Sequence, residues 1–284
     1  MAMADAESER FVVATPVKKR WSRFSSSETL VRLGVSLACL LFLGYSLYFL
    51  DVDPGRVLGA FGGVYRVIAD RYCPPELSYI SDRGYLAAIL ATLQMSFLGA
   101  TIGVLLAIPL AWFSARNVTP SRRILFPLGR LGVISCRAIH ETIWTILFVS
   151  ILGFGMLAGV SALTMFCIGF AGKLFADEIE AVDPGPIDAM RAAGANELQV
   201  FLWAVVPQVR VAFTGIAIYT WDVAFRAATV VGFFGGGGMG WYLKRNIQQL
   251  ENTKVSAIIL SIIAVVLVAE FISGWLRARV NRAA

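Results

Sequence analysis

What most constrains this chain is a series of long apolar runs separated by short polar connections, over residues 30–50, 86–113, 131–152, 159–176, 208–231 and 255–276. A membrane-spanning helix needs about 20 predominantly apolar residues, and every run is of that order. In hydrocarbon each backbone N–H and C=O must be satisfied within the protein, so only helices or a closed barrel can cross. Unbroken apolar runs favour helices. The expected fold class is all-α, a polytopic membrane protein with six transmembrane helices. Composition agrees: 57% of residues are hydrophobic and 15% charged, against about 25% charged in a soluble domain.

The connections divide the chain into a polar N-terminal tail over 1–29, a first membrane helix with its outer connection over 30–84, and a core over 85–284. The run over 30–50 is too long for the apolar part of a signal peptide and no small-x-small site follows it, so it stays as an anchor. After Asp53-Pro54, the residues Val57, Leu58, Phe61, Val64, Tyr65 and Ile68 recur at helical spacing, which predicts a helix lying on the outer membrane face. Basic residues concentrate in the tail, in the 114–130 connection with Arg116, Arg122, Arg123 and Arg130, and at the C-terminus with Arg277, Arg279 and Arg282. The positive-inside rule then places both termini and the 177–207 loop in the cytoplasm.

Several function classes are excluded early. The net charge of +6 sits at segment ends, which argues for topology control and against nucleic-acid binding. Cys39, Cys73, Cys136 and Cys167 share no metal-ligand spacing, and a lone His140 cannot build a histidine metal site. There is no GxxxxGK[ST] nucleotide loop, so no ATP hydrolysis is expected in this chain.

Residues 183–207, DPGPIDAMRAAGANELQVFLWAVVP, form a polar island between apolar runs. Asp183-Pro184-Gly185-Pro186 breaks the preceding helix, and a proline suits the first turn of a new one. Gly194 stands where a helix C′ residue would. Asn196, with Gln199 three residues on, starts a second helix as a capping box, and Pro207 marks the next boundary. The loop reads as helix, tight turn, helix at one membrane face.

Charges also fall inside the runs: Arg137, His140 and Glu141 in the third, Asp222 and Arg226 in the fifth. Such residues face a protein interior or a water-filled path. Arg137 with Glu141, and Asp222 with Arg226, are spaced i,i+4 and can neutralise each other on one helix face. Arg226 is therefore open to two readings, a contact on a solute path or a packing ion pair. Beyond it, Gly235, Gly236, Gly237 and Gly238 run consecutively, with Gly240 close by. They read either as a flexible outer turn or as a gate whose N–H groups can meet an anion.

The 183–207 stretch resembles the EAA loop of bacterial ABC importer permeases, whose pattern is Glu-Ala-Ala, three residues, Gly, nine residues, Ile-x-Leu-Pro. Asp188, Ala189 and Met190 stand in the triplet and Arg191 follows. Gly194 is the glycine, with Ala195 after it, and Ala204, Val206 and Pro207 close the pattern in full register. Asp stands for Glu, Met for the second Ala, and Ala and Val for the closing Ile and Leu. The downstream half is similar to phosphonate ABC importer permeases, which carry Arg-x-x-Thr-Val-x-Gly and then Gly-Gly-x-Gly. Arg226, Thr229, Val230 and Gly232 fill the first element, and Gly237, Gly238 and Gly240 the second. The likeness covers most of 85–276.

That resemblance implies a homodimer in a bacterial inner membrane with a central solute path. It implies two cytoplasmic ATPase subunits that hold the ATP and Mg, an extracytoplasmic substrate-binding protein, and no cofactor in this chain. The 183–207 loop would be the coupling helix that docks into the ATPase, and the solute a phosphonate, phosphate or phosphite moved by alternating access. Importers of methionine or taurine are the rival within the class. A membrane enzyme or channel is the rival outside it, for which His140-Glu141 is the candidate pair and lacks a metal partner or nucleophile.

Overall fold

The computed structural model describes residues 26–51 and 54–282. Most of the expected 1–29 tail, up to residue 25, and the Asp53 before the outer helix lie outside them. Among the described residues five helices are long and apolar enough to cross a membrane, and a sixth is made if one sharply bent pair counts as a single span.

The chain divides into two compact units, Met1–Tyr65 and Arg66–Ala284. In the first, α1 (Ser26–Phe49) is apolar on every side and none of its span is buried within the chain, as befits a helix solvated by lipid. The helix expected after Asp53-Pro54 forms as α2 (Pro54–Val67), starting on a proline whose missing N–H is no loss in a first turn.

The second unit is built on α3 (Arg83–Ser114), α6 (Met156–Glu180), α9 (Val206–Val231) and α11 (Asn252–Arg282). Asp82 starts α3 by accepting from Gly84 N and Tyr85 N. Small residues let α3 and α6 approach closely: a Cβ added at Gly103 would fall 2.4 Å from Cys167 Cβ, and one at Gly99 2.7 Å from Leu163 Cβ. At the loop end of the bundle, Ala107 and Ala111 of α3 and Phe175 and Ile179 of α6 form a core with Ile187, Val200 and Phe201 from the 183–207 stretch.

Two boundaries differ from the sequence reading. The third run is not one straight helix: α4 (Leu125–Ala138) and α5 (Glu141–Leu152) meet at 90° across Ile139 and His140. Gly169 of α6 admits the last turn of α4 so closely that a Cβ there would lie 2.6 Å from Arg137 N. Both break residues are extended, Trp144 Nε1 donates to the freed Cys136 carbonyl at 3.3 Å, and His140 Nδ1 accepts from Thr142 N at 3.3 Å as the cap of α5. Arg137 and Glu141 therefore no longer share a helix face, and no ion pair joins them among the described residues.

The second difference is at Pro207. Pro207 does stand in the first turn of α9, but no loop precedes it: the helical path runs from α8 (Glu197–Val200) through a wide turn over Phe201–Val205 straight into α9. Proline cannot donate to the carbonyl four residues back and its ring crowds that group. The widened turn absorbs the misfit, with Val206 N–H donating to Phe201 O five residues away.

Candidate functional site

Asp183 opens α7 (Pro184–Ala192) by accepting from Gly185 N at 3.0 Å. The helix closes on Gly194, whose φ of +85° any other residue adopts only with strain. Ala195 N–H donates to Met190 O and Gly194 N–H to Arg191 O, both at 3.0 Å, the two bonds of a Schellman cap. The capping box on Asn196 and Gln199 is complete, at 2.8 and 2.9 Å. Every turn of this loop is thus satisfied by the loop itself.

Side chains then pin it to the bundle. Ile187 is buried, and Trp112 of α3 stacks on Phe201 at 5.1 Å between centroids. Arg191 makes a bidentate pair with Glu197 at 2.8 and 3.0 Å and donates to the Asn117 carbonyl at 2.9 Å. The hydrogen bonds to the Glu197 carboxylate hold its guanidinium further toward the charged form. The opposite face, with Asp188, Ala189, Ala192, Ala193 and Gly194, is exposed, and a Cβ at Gly194 would meet nothing within 4 Å.

Sequence reasoning missed the partners of this anchor. Asn117 Nδ2 donates to Ile179 O at 2.6 Å, Arg116 N–H donates to Glu180 Oε1 at 3.1 Å, and Arg130 meets Glu180 at 3.6 Å. They tie the α3–α4 connection to the end of α6. No local pattern announces contacts between residues more than forty positions apart.

The charges within the membrane separate into two groups. Asp222 and Arg226 pair on α9 as their spacing predicts, at 2.9 Å. The carboxylate is buried and the guanidinium is exposed. One turn further, the Thr229 hydroxyl is buried with no partner among the described residues. Arg137, His140 and Glu141 come together elsewhere, around a cavity of about 210 Å³ walled by Phe166 and Phe170. His140 Nδ1 is occupied as a cap, and Nε2 faces Glu141 at 3.4 Å. His140 thus has a structural task.

The glycine run is neither loose nor open. Gly232, Gly235, Gly236 and Gly240 are buried where α9 turns into α10 (Gly238–Gln248). A Cβ at Gly240 would lie 2.1 Å from Thr229 O, and one at Gly232 2.3 Å from Gly237 O. Gly155 N–H donates to Gly235 O at 3.0 Å, and Met239 N–H donates to Thr92 Oγ1 at 2.9 Å. The corner is close-packed backbone on backbone, which only glycine permits.

Comparison with known proteins places this architecture. The family model for binding-protein-dependent transport system inner membrane components matches residues 96–282. The chain is 40% identical to the phosphite transport system permease protein PtxC of Stutzerimonas stutzeri, over 74% of this chain and 75% of that one. It is 34% identical to the phosphate-import permease protein PhnE of Mycolicibacterium smegmatis over 94% of its own length, and spans 48% of that longer protein. The solved MetNI methionine ABC transporter in an inward-facing conformation shares the fold at a TM-score of 0.57 and 21% identity, over 69% of this chain and 95% of that one. Five long apolar helices and one bent pair among the described residues, a self-capped loop at one end of the bundle and a matched family model over 96–282 lead to one conclusion: this chain belongs to the binding-protein-dependent transport system inner membrane components.

Proposed function

We propose that this chain is the membrane-spanning subunit of an ATP-driven importer for phosphonate or the related oxyanions phosphate and phosphite. The observation that carries the reading is the 183–207 loop. Its turns are hydrogen-bonded internally, Ile187 and Arg191 lock it to the bundle, and its far face is bare. A rigid element that exposes one face of small residues at a bundle end is suited to dock a partner and to pass a push into the helices. The relatives named for phosphite and phosphate transport support the substrate class.

In this reading a separate cytoplasmic ATPase, present in two copies, holds ATP and Mg and grips Asp188 to Ala195. Two copies of the chain enclose the path in the inner membrane, with both termini in the cytoplasm, and an extracytoplasmic binding protein delivers the anion. Arg226 and Arg137 meet the anion, and the 235–240 corner borders its outer entrance. Alternating access follows when closure of the ATPases displaces the loops.

The test is ATP-dependent uptake by the complete complex in proteoliposomes. Phosphite, phosphate and an alkylphosphonate are offered, with methionine and taurine as competitors. Uptake of a phosphorus anion is the expected result. Uptake of methionine or taurine alone would transfer the assignment to the rival importers, and flux without ATP would make the chain a channel.

A further inference from the structure

Among the described residues, the arginines of the membrane region differ in their company. Arg226 has Asp222 at 2.9 Å and Arg130 has Glu180 at 3.6 Å, whereas the Arg137 side chain makes no ion pair or hydrogen bond among the described residues. Its backbone lies level with Gly169, about midway along α6. An exposed guanidinium at that depth is strongly unfavourable against lipid, so it faces a water-filled path or an anion.

Arg137 also lines two cavities at once. One is the 210 Å³ space with His140, Glu141, Phe166 and Phe170. The other, about 120 Å³, lies between α4 and α6 toward the loop end, where Arg130, Lys173, Asp177 and Glu180 meet. In that second space each cation already has a carboxylate: Arg130 has Glu180, and Lys173 has Asp177 one turn along α6. Glu141 in the first cavity faces His140 Nε2 at 3.4 Å, so among these cations the Arg137 guanidinium alone is left without a carboxylate in contact, at the junction of the two cavities.

We propose that Arg137 and Lys173 form an anion station on the inward half of the path, an inference that rests on the reading above that the chain carries phosphorus oxyanions. The planar guanidinium receives the tetrahedral anion from the larger cavity through two parallel N–H···O bonds. Lys173 then exchanges Asp177 for the anion, one acceptor for another. Lys173 thus gives the anion a cation as it leaves Arg137, while the nearby Asp177 and Glu180 carboxylates keep it from being held tightly, and a site weak enough to release is what transport needs.

The experiment compares the native complex with Arg137→Gln, Arg137→Lys and Lys173→Gln in proteoliposomes with the binding protein, using inorganic phosphate and phosphite as probes and complex yield as control. Arg137→Gln is expected to assemble at native yield, while uptake falls roughly tenfold or more from losing one charge-assisted contact. Arg137→Lys keeps charge without the fork and retains part of the uptake. Lys173→Gln lowers the maximal rate and leaves half-saturation unchanged, because capture precedes the exchange. Uptake by assembled Arg137→Gln within about twofold of native overturns the station. An unchanged maximal rate in Lys173→Gln removes Lys173 from it. Should Arg137→Gln fail to assemble, Arg137→Lys decides: reduced uptake supports the station and native uptake overturns it. A native complex that moves neither anion overturns the parent reading instead, and does so before any variant is made.

Discussion

The sharpest test of Arg226 comes from how unequally its ion pair is buried. The Asp222 side chain is 4% exposed and that of Arg226 43%, at a separation of 2.9 Å. Removing the cation by Arg226→Ala leaves an uncompensated buried carboxylate, which costs about 3–5 kcal/mol. Asp222→Asn leaves a guanidinium that reaches polar surroundings by itself, and that change costs about 1–2 kcal/mol. The double change Asp222→Asn with Arg226→Gln removes both charges and keeps an amide pair within hydrogen-bonding range, so stability returns to within about 1–2 kcal/mol of native. Unfolding of the purified complex by detergent titration reads these differences, and proteoliposome uptake is measured on the same preparations. If Arg226 meets the anion, the double variant is as sturdy as native and still transports nothing. Recovered uptake in the double variant would refute the reasoning and make Arg226 a packing residue only.

Gly194→Trp puts a large ring into space that is open in this chain. It is expected to leave the permease folded, at about 1–2 kcal/mol for the left-handed backbone, while abolishing co-purification of the ATPase; retained co-purification would remove the turn from the docking surface. Gly240→Ala drives a Cβ to 2.1 Å from Thr229 O, so folded yield collapses with a loss of about 3 kcal/mol or more. Gly274→Ala in α11, with nothing within 4 Å, is neutral or stabilising by up to about 1 kcal/mol, and equal effects at the two glycines would contradict the packing described. In a background with the exposed Cys73 replaced by serine, Ser78→Cys reacts with an impermeant thiol reagent in intact cells and Ala195→Cys only after the membrane is opened. The reverse pattern inverts the topology.

The spans were legible because lipid imposes a length and a polarity on every one of them, and α3, α6 and α11 fall within a few residues of the runs that announced them. The 183–207 loop was legible for another reason: Asp183, Gly194, Asn196 and Gln199 act on their own neighbours, so their meaning is local. The right-angle break at Ile139 and His140 was not, since neither residue is Pro or Gly. The elbow packs on Gly169, thirty positions on, and a pattern read along one segment cannot register such a contact. The smooth passage through Pro207 was hidden by a residue that usually interrupts, here accommodated by one wide turn. Asp222 and Arg226 paired as their spacing foretold, whereas Arg137 and Glu141, with the same spacing, were parted by the break.

The packed corner at 232–240 also governs how the bundle can move. With Gly240 against the Thr229 carbonyl, Gly232 against Gly237, and Gly155 strapped to Gly235, there is no free volume for sliding, and a joint without play behaves as a weld. The top of α9, α10 and the start of α6 therefore turn as one block. Compliance is left to the places where the helical ladder is already interrupted, the wide turn over Phe201–Val205 and the elbow at 139–140. Both lie on the other side of the Arg226 level from the weld, so a displacement begun at the loop bends the chain there and carries the glycine corner round like the rigid arm of a crank.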